Sequence, residues 1–260
     1  MQSEVNKRRK QRQKQARKRR LAIAFISFFV LSIIVALVTL VVMCFTVFFD
    51  VKQINVSGSE IYSNAEVIKA SGITTEDNLL VISEKKLEEK IRQSLPYVDD
   101  VKIKRRLPDK VALIITDAKE YAYYAVEGKY YVISENGYIL KEQTEAPENV
   151  FEIITSGISG NVGEKVVFAN STEENLVNEL ITLLEAKEIN INKINVTSQL
   201  EIKLFVENRF EVVIGDNKYL TEKIAHLSGM IGEIPDRSGM IDLSMWTPEK
   251  SQGSFVENKE

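Results

Sequence analysis

Residues able to act as nucleophiles, bases or metal ligands are few and scattered in this chain. Among 260 residues His226 is the only histidine and Cys44 the only cysteine. A zinc site needs several nitrogen or sulfur ligands and a thiol nucleophile needs a paired base, so neither has its parts here. The sequence therefore predicts no metal, no cofactor and no catalytic residue. His226 falls at helical spacing with Ile224 and Leu227, which predicts a satisfied or surface histidine. The adjacent acids Asp99-Asp100 and Glu173-Glu174 point to different faces of a strand or helix, the pattern of surface carboxylates rather than of an acid–base pair. The stretch GISGNVGEK around Gly160 lacks the spacing of a phosphate-binding loop. What remains is the chemistry of binding.

The element that positions everything else is at the start. Leu21 to Phe49 is a run of 29 residues without a charge. As a helix it exceeds the ~30 Å of a bilayer core, at ~1.5 Å per residue. Before it, Lys7 to Arg20 carries ten basic residues, with Glu4 the only acid in the first twenty. That bias holds the N-terminal end in the cytoplasm and sends the bulk of the chain outward. The run is too long for a cleaved signal, and Val42-Met43 before Cys44 makes a poor lipobox, so an uncleaved single-pass anchor in the cell membrane is expected. The tail, residues 1–20, has no apolar position between Lys7 and Arg20 except Ala16, cannot build a core, and is expected to be disordered and replaceable by another basic sequence.

Past the span the balance reverses to a net charge of −12, which argues against nucleic-acid binding. The 211 residues from Asp50 onward suffice for one large or two modest domains, and with no cysteine among them hydrophobic burial and sheet pairing must hold the fold.

Residues 50–118 read as strand, helix, helix, strand, strand. Val51 to Val56 makes a first strand; Ser63 with Glu66 forms a capping box and Gly72 ends that helix. Leu87, Ile91 and Leu95 mark one face of a second helix, whose charges from Glu84 to Arg92 read as a solvated face. Val98 to Ile103 and Lys110 to Thr116 flank the turn Arg106-Leu107-Pro108-Asp109. Residues 119–257 are richer in β structure, ahead of a polar end at 258–260. Asn136-Gly137 predicts a type I′ hairpin turn; Lys193 to Val196, Leu200 to Val206 and Arg209 to Ile214 form a meander with a tight turn at Glu207-Asn208. Helices over Ser171–Lys187 and Tyr219–Ile231 flank it, and Gly239–Met245 and Gly253–Val256 close the chain as strands. The fold class is α+β: a single transmembrane helix, a β-α-α-β-β module expected to fold by itself against the outer leaflet, and a β-rich domain with flanking helices.

In this order FDVKQINVSGSEIYS, LPYVDDVKIKRRLPDKVALIITDAKEYAYY, GKYYVISENGYIL and SGMIDLSM resemble the bacterial cell division family DivIB/FtsQ, from Lys7 to about Val256. The resemblance implies a POTRA module near Val51 to Asp117, a following β-domain and no catalysis. It also implies partners: single-span coiled-coil proteins of the FtsL and DivIC/FtsB kind, with septal peptidoglycan synthase as a further candidate. A non-catalytic scaffold of the divisome that supports septal peptidoglycan synthesis is thus the first reading. An outward-facing, membrane-anchored cell-wall enzyme or ligand sensor is the alternative.

The partner site is expected on the last strands. Ile241, Leu243 and Met245 alternate onto one side of the first of them, and the second, with Phe255 and Val256 as anchors and Trp246 nearby, offers a free edge for strand addition. The competing reading is that Trp246 and Phe255 only close the core.

Overall fold

Helix α1 (Phe25–Met43) is apolar all round and exposes every side chain. A helix of a soluble core would hide at least one face. Its 19 residues have a mean hydropathy of 3.0, and at ~1.5 Å per residue they match a bilayer core of about 30 Å. The computed structural model describes residues 25–43, 48–234, 236–250 and 253–258; the basic tail 1–20 and Cys44 lie outside them.

In chain order α1 is followed by β1 (Gln53–Ser57), α2 (Asn64–Ser71), α3 (Glu84–Ser94), β2 (Val98–Arg106) and β3 (Lys110–Asp117), the three strands forming a sheet in the order β1-β3-β2. The described residues divide into two compact units. The first joins α1 and the chain up to Asn55 to Ile73–Ile82 and Lys104–Ala112. It closes around fully buried Val51, Leu79 and Val111. Backbone bonds tie its segments: Leu79 N–H to Phe49 O at 2.7 Å, Val51 N–H to Asp77 O at 2.9 Å and Lys52 N–H to Asp109 O at 2.8 Å.

The second unit takes Val56–Gly72, Ser83–Ile103 and everything from Leu113 onward. Its first helix, α2, starts at a reciprocal cap in which Ser63 and Glu66 satisfy each other's backbone, and stops at Gly72 in the left-handed region, φ 62°. Helix α3 buries Leu87 and Ile91 as its spacing predicts, but one charged residue departs from the expected solvated face: Arg92 is only 3% exposed. Its Nε donates to Val98 O at 3.0 Å, its Nη2 to Asp99 O and Glu88, and its guanidinium lies 3.8 Å from the centre of the Tyr138 ring. A planar fork of five donors can serve two carbonyls, a carboxylate and an aromatic face together, and that is what allows the charge to be buried.

The rest of the unit is β4 (Ala122–Val126), β5 (Lys129–Ile133), β6 (Ile139–Gln143), β7 (Phe151–Ile154), β8 (Ile158–Ser159), β9 (Val167–Phe168), α4 (Ser171–Glu185), β10 (Ile191–Asn195), β11 (Ile202–Val206), β12 (Phe210–Gly215), α5 (Leu220–Glu233), β13 (Gly239–Asp242) and β14 (Ser254–Glu257). Nine strands form one sheet, β14-β13-β12-β11-β10-β7-β4-β5-β6. Pairings β7/β10 and β12/β13 are parallel, and each needs a crossover. These are the connections that carry α4 and α5. Leu176, Leu180 and Leu184 of α4 and Ile224 and Leu227 of α5 share one core with Ile202, Leu204, Val206, Phe210, Val212 and Ile214 of the sheet.

Turn chemistry corrects one expectation. At Asn136-Gly137 only Gly137 has positive φ, 76°, with Gly137 N–H on Ser134 O and Ser134 N–H on Tyr138 O, both 2.9 Å. This is a type I turn closed by a glycine bulge, not type I′. Two hairpin loops have positive φ at both central residues, Glu127-Gly128 at 50° and 80° and Glu207-Asn208 at 57° and 54°. The cost at Glu207-Asn208 is offset where the Asn190 N–H donates to Glu207 Oε1, Asn192 Nδ2 to Asn208 Oδ1 and the Asn208 N–H to Asn192 Oδ1.

Helix α5 starts without a side-chain cap, from Tyr219 in the left-handed region, φ 55°. Buried Lys223 secures that end, donating to Ile214 O at 2.8 Å, Asp216 O at 3.0 Å and Asp216 Oδ1 at 3.1 Å. Burial opposes the Asp216 charge, yet the Lys223 ammonium and the Lys218 N–H together hold its carboxyl below the ordinary range. A depressed carboxyl stabilises the fold fully above its unfolded value of about 3.9 and stops doing so as pH falls through the folded value. Asp216→Asn should therefore lower the melting temperature at neutral pH, with the gap to the parent narrowing as pH drops below about 4; thermal melts across an acid series read this directly.

Candidate interaction edge

Strand β14 occupies one edge of the nine-stranded sheet and pairs with β13 in the register Gly239↔Glu257, Met240↔Val256, Ile241↔Phe255 and Asp242↔Ser254. Asn258 N–H donates to Ser238 O at 3.1 Å. Antiparallel pairs alternate between bonded and non-bonded, so Val256 turns its amide and carbonyl inward to Met240. Phe255 and Glu257 turn theirs outward.

Two glycines let β14 sit so close. A Cβ on Gly239 would stand 2.2 Å from Val256 O and 2.9 Å from the Phe255 ring, and one on Gly253 2.7 Å from Leu243 and 2.8 Å from Met230 Sδ. Gly239→Ala should consequently unseat β14 without altering any residue on its outer edge. Amide hydrogen exchange should accelerate at 254–257 while the strands β10–β12 stay protected; unchanged exchange at 254–257 would show that the close approach is not needed.

The six expected contact residues separate into two groups. Ile241 and Leu243 are fully buried and Trp246 nearly so. The indole of Trp246 lies 5.9 Å from the half-buried His226 ring. These three side chains belong to the core beneath the edge and present nothing to a partner. The remaining three are accessible. Phe255 is half-buried, its ring edge-on to Phe210 at 6.1 Å; Val256 is exposed beside Met240; and Met245 is 85% exposed. Met245 does not share the side of Ile241, because β13 ends at Asp242, where the side-chain carboxylate accepts Ser244 N–H and turns the chain. Sequence alternation could not show this early stop.

Charge at the edge is modest. Arg237 and Glu257 face each other at 3.8 Å, both well exposed, a pair of small energetic weight. On the sheet face away from the helices, cross-strand neighbours Glu152, Lys193, Phe205, Glu211, Met240 and Val256 form one continuous row leading to β14. This row was not anticipated. Its signal was present in the sequence as the residues alternating with the buried ones, but ranking them requires the strand order.

Among the carboxylates named from sequence, Glu173 and Asp99 have structural partners. Buried Glu173 accepts the Ser156 N–H at 2.8 Å, a departure from the surface position expected of it, and Asp99 Oδ1 accepts from Asn136 at 2.8 Å. Among the described residues no group of three or more His, Cys, Asp or Glu is placed to hold a metal. A cleft of about 580 Å³ is lined by Tyr121, Phe151, Glu185 and several asparagines. Its polar groups bond to each other, Tyr121 to Glu185 and Asn192 to Asn208, both at 2.6 Å. Burial and the Glu185 carboxylate push the Tyr121 phenol well above its ordinary value, so it keeps its proton.

The family model for the FtsQ-type POTRA domain matches residues 49–117. Cell division protein DivIB of Clostridium tetani is 30% identical over 191 residues, 71% of each chain. DivIB of Clostridium acetobutylicum is 25% identical over 213 residues, 79% of this chain and 84% of its own. DivIB of Bacillus subtilis is 24% identical over 249 residues, 95% and 89% of the two chains.

Proposed function

This chain belongs to the DivIB/FtsQ family of cell division proteins, and from that premise we propose that it is a non-catalytic scaffold of the divisome which captures a partner segment as an added strand on β14. The observation that carries the reading is the outer side of β14, where the amides and carbonyls of Phe255 and Glu257 face away from the sheet. Backbone groups supply general affinity in such a contact and side-chain pockets supply choice of partner. Here Val256 and Met245 are the apolar contacts, Phe255 anchors the strand to the core, and Ile241, Leu243 and Trp246 support it from beneath.

The partner chemistry that fits is an extended segment of a single-span coiled-coil protein of the FtsL or DivIC/FtsB kind, with septal peptidoglycan synthase reached through that complex. In this reading residues 1–20 form a basic cytoplasmic tail, 21–49 the membrane span, 50–118 the POTRA module and 119–257 the β-domain, with the bulk of the chain outside the cell. The ten basic residues before the span support that orientation.

Capture of native partners by the full-length membrane protein, followed by identification of what co-purifies, tests the proposal. Recovery of a single-span coiled-coil division protein supports it. Recovery of none, together with measurable turnover of cell-wall material, would establish the enzymatic alternative instead.

A further inference from the structure

Exposed apolar side chains gather where the chain leaves its apolar helix, and the surrounding bonds explain why they remain uncovered. Leu79 is fully buried, but the next two residues turn outward, Val81 to 80% exposure. The loop that carries them is clamped on both sides. Leu79 N–H reaches Phe49 O, and Asn78 holds the Leu80 N–H through Oδ1 at 2.9 Å. From β2, Arg105 donates to Leu79 O at 3.0 Å and to Ile82 O at 2.6 Å. Two residues past Arg105, Leu107 is 62% exposed at the β2–β3 turn, and Asp109 of that turn is tied to Lys52. Phe48, next to the residue that pins the loop, is 65% exposed. All of these ties lie within the unit that contains α1.

Single exposed apolar residues are ordinary. Several of them on rigid tips beside a helix of membrane length, flanked by exposed Lys104, Arg106 and Lys110, make the amphipathic arrangement that a bilayer interface accepts, with apolar tips at the acyl boundary and cations at phosphate. The acidic balance of the outer chain does not oppose this at the Leu107 tip, which Lys104, Arg105, Arg106 and Lys110 border and whose one acid, Asp109, pairs with Lys52.

We propose that Leu80, Val81 and Leu107 insert into the leaflet from which the chain emerges, with Lys104 and Arg106 at the headgroup phosphates, so that lipid fixes the height and rotation of the first unit. The inference rests on reading α1 as a membrane span. Full-length protein with Cys44→Ala would carry single cysteines, Val81→Cys or Leu107→Cys, labelled with an environment-sensitive fluorophore. Ile34→Cys in α1 and the highly exposed Leu200→Cys serve as references. In vesicles of phosphatidylglycerol and phosphatidylethanolamine containing spin-labelled lipid, labels at 81 and 107 should be quenched several-fold more than the label at 200. Quenching at 34 with 81 and 107 matching 200 overturns the proposal and leaves the span intact. No quenching at 34 overturns the span reading and the proposal with it. Shielding of 81 and 107 that appears only after partner proteins are co-reconstituted assigns the surface to protein and overturns the lipid assignment.

Discussion

Glu257→Pro should weaken capture of a partner strand about tenfold while leaving the ectodomain folded, the effect of one lost backbone hydrogen bond of about 1–1.5 kcal/mol. The register turns the Glu257 N–H away from β13, and proline is tolerated on an edge strand when its missing N–H faces outward. Val256→Pro is the matched control. It removes the N–H directed at Met240 and should detach β14 from the sheet, losing binding and local hydrogen-exchange protection together. Binding titrations of the two ectodomain variants, each paired with circular dichroism, separate a lost contact from a lost strand. Two coarser changes are less decisive. Phe255→Asp sets a charge against Phe210, and removal of 253–260 bares β13 as a substitute edge. Full partner affinity in Glu257→Pro would place the site away from this edge, and the exposed face of α5 would be the next surface to test.

Arg92→Ala should cost about 3–5 kcal/mol, the range for removing one member of a buried charged network. For an ectodomain of this size that corresponds to a fall in melting temperature of about 10 °C. The loss has several parts. Val98 O and Asp99 O lose their donor, Glu88 loses its partner, and the Tyr138 ring loses the plane it covers. Arg92→Lys should recover little, because an ammonium on a flexible stem cannot reach two carbonyls and stack on a ring together. Thermal melts of the three proteins provide the measurement, and a lysine variant as stable as the parent would reduce the role of Arg92 to its charge.

The same residue bears on how the ectodomain behaves as a whole. Helix α3 meets the β5–β6 turn through Arg92 and Tyr138, Asp99 bonds Asn136 of that turn, and the glycine at 163, φ 87°, comes so near that a Cβ would stand 2.8 Å from Arg92 O. An excised 51–117 fragment would lose each of these contacts. Its expected independence therefore depends on whether the remaining core around Val67, Leu87, Ile91, Val101 and Leu113 suffices.

Periodicity carried much of the architecture. The α2 cap, the Leu87/Ile91 face, the α4 and α5 stripes and the alternation in β11 and β12 are local patterns, set by the geometry of one helix or strand against one apolar side. Strands β4 and β7 escaped notice. Tyr-rich β4 is short, and β7 is a four-residue segment whose neighbours in the sheet, β4 and β10, come from both directions in sequence. Positive φ at both central residues is likewise absent at Asn136-Gly137 and present at Glu127-Gly128 and Glu207-Asn208. Asn-Gly has the better local preference, but Glu207-Asn208 is held by bonds from the distant Asn190 and Asn192.

By itself the sequence determined a run long and apolar enough to cross a membrane, an acidic α+β region beyond it and an inventory of one histidine and one cysteine, because length, charge and residue inventory are properties of the chain before it folds. Only the tertiary structure decided which of the last residues face outward. Ile241, Leu243 and Trp246 look like contact residues in a one-dimensional pattern and turn out to be core, since the nine-stranded sheet and α5 together cover them. The end of β13 at Asp242 and the inward turn of Val256's amide follow from pairing register, a relation between segments that no single segment contains.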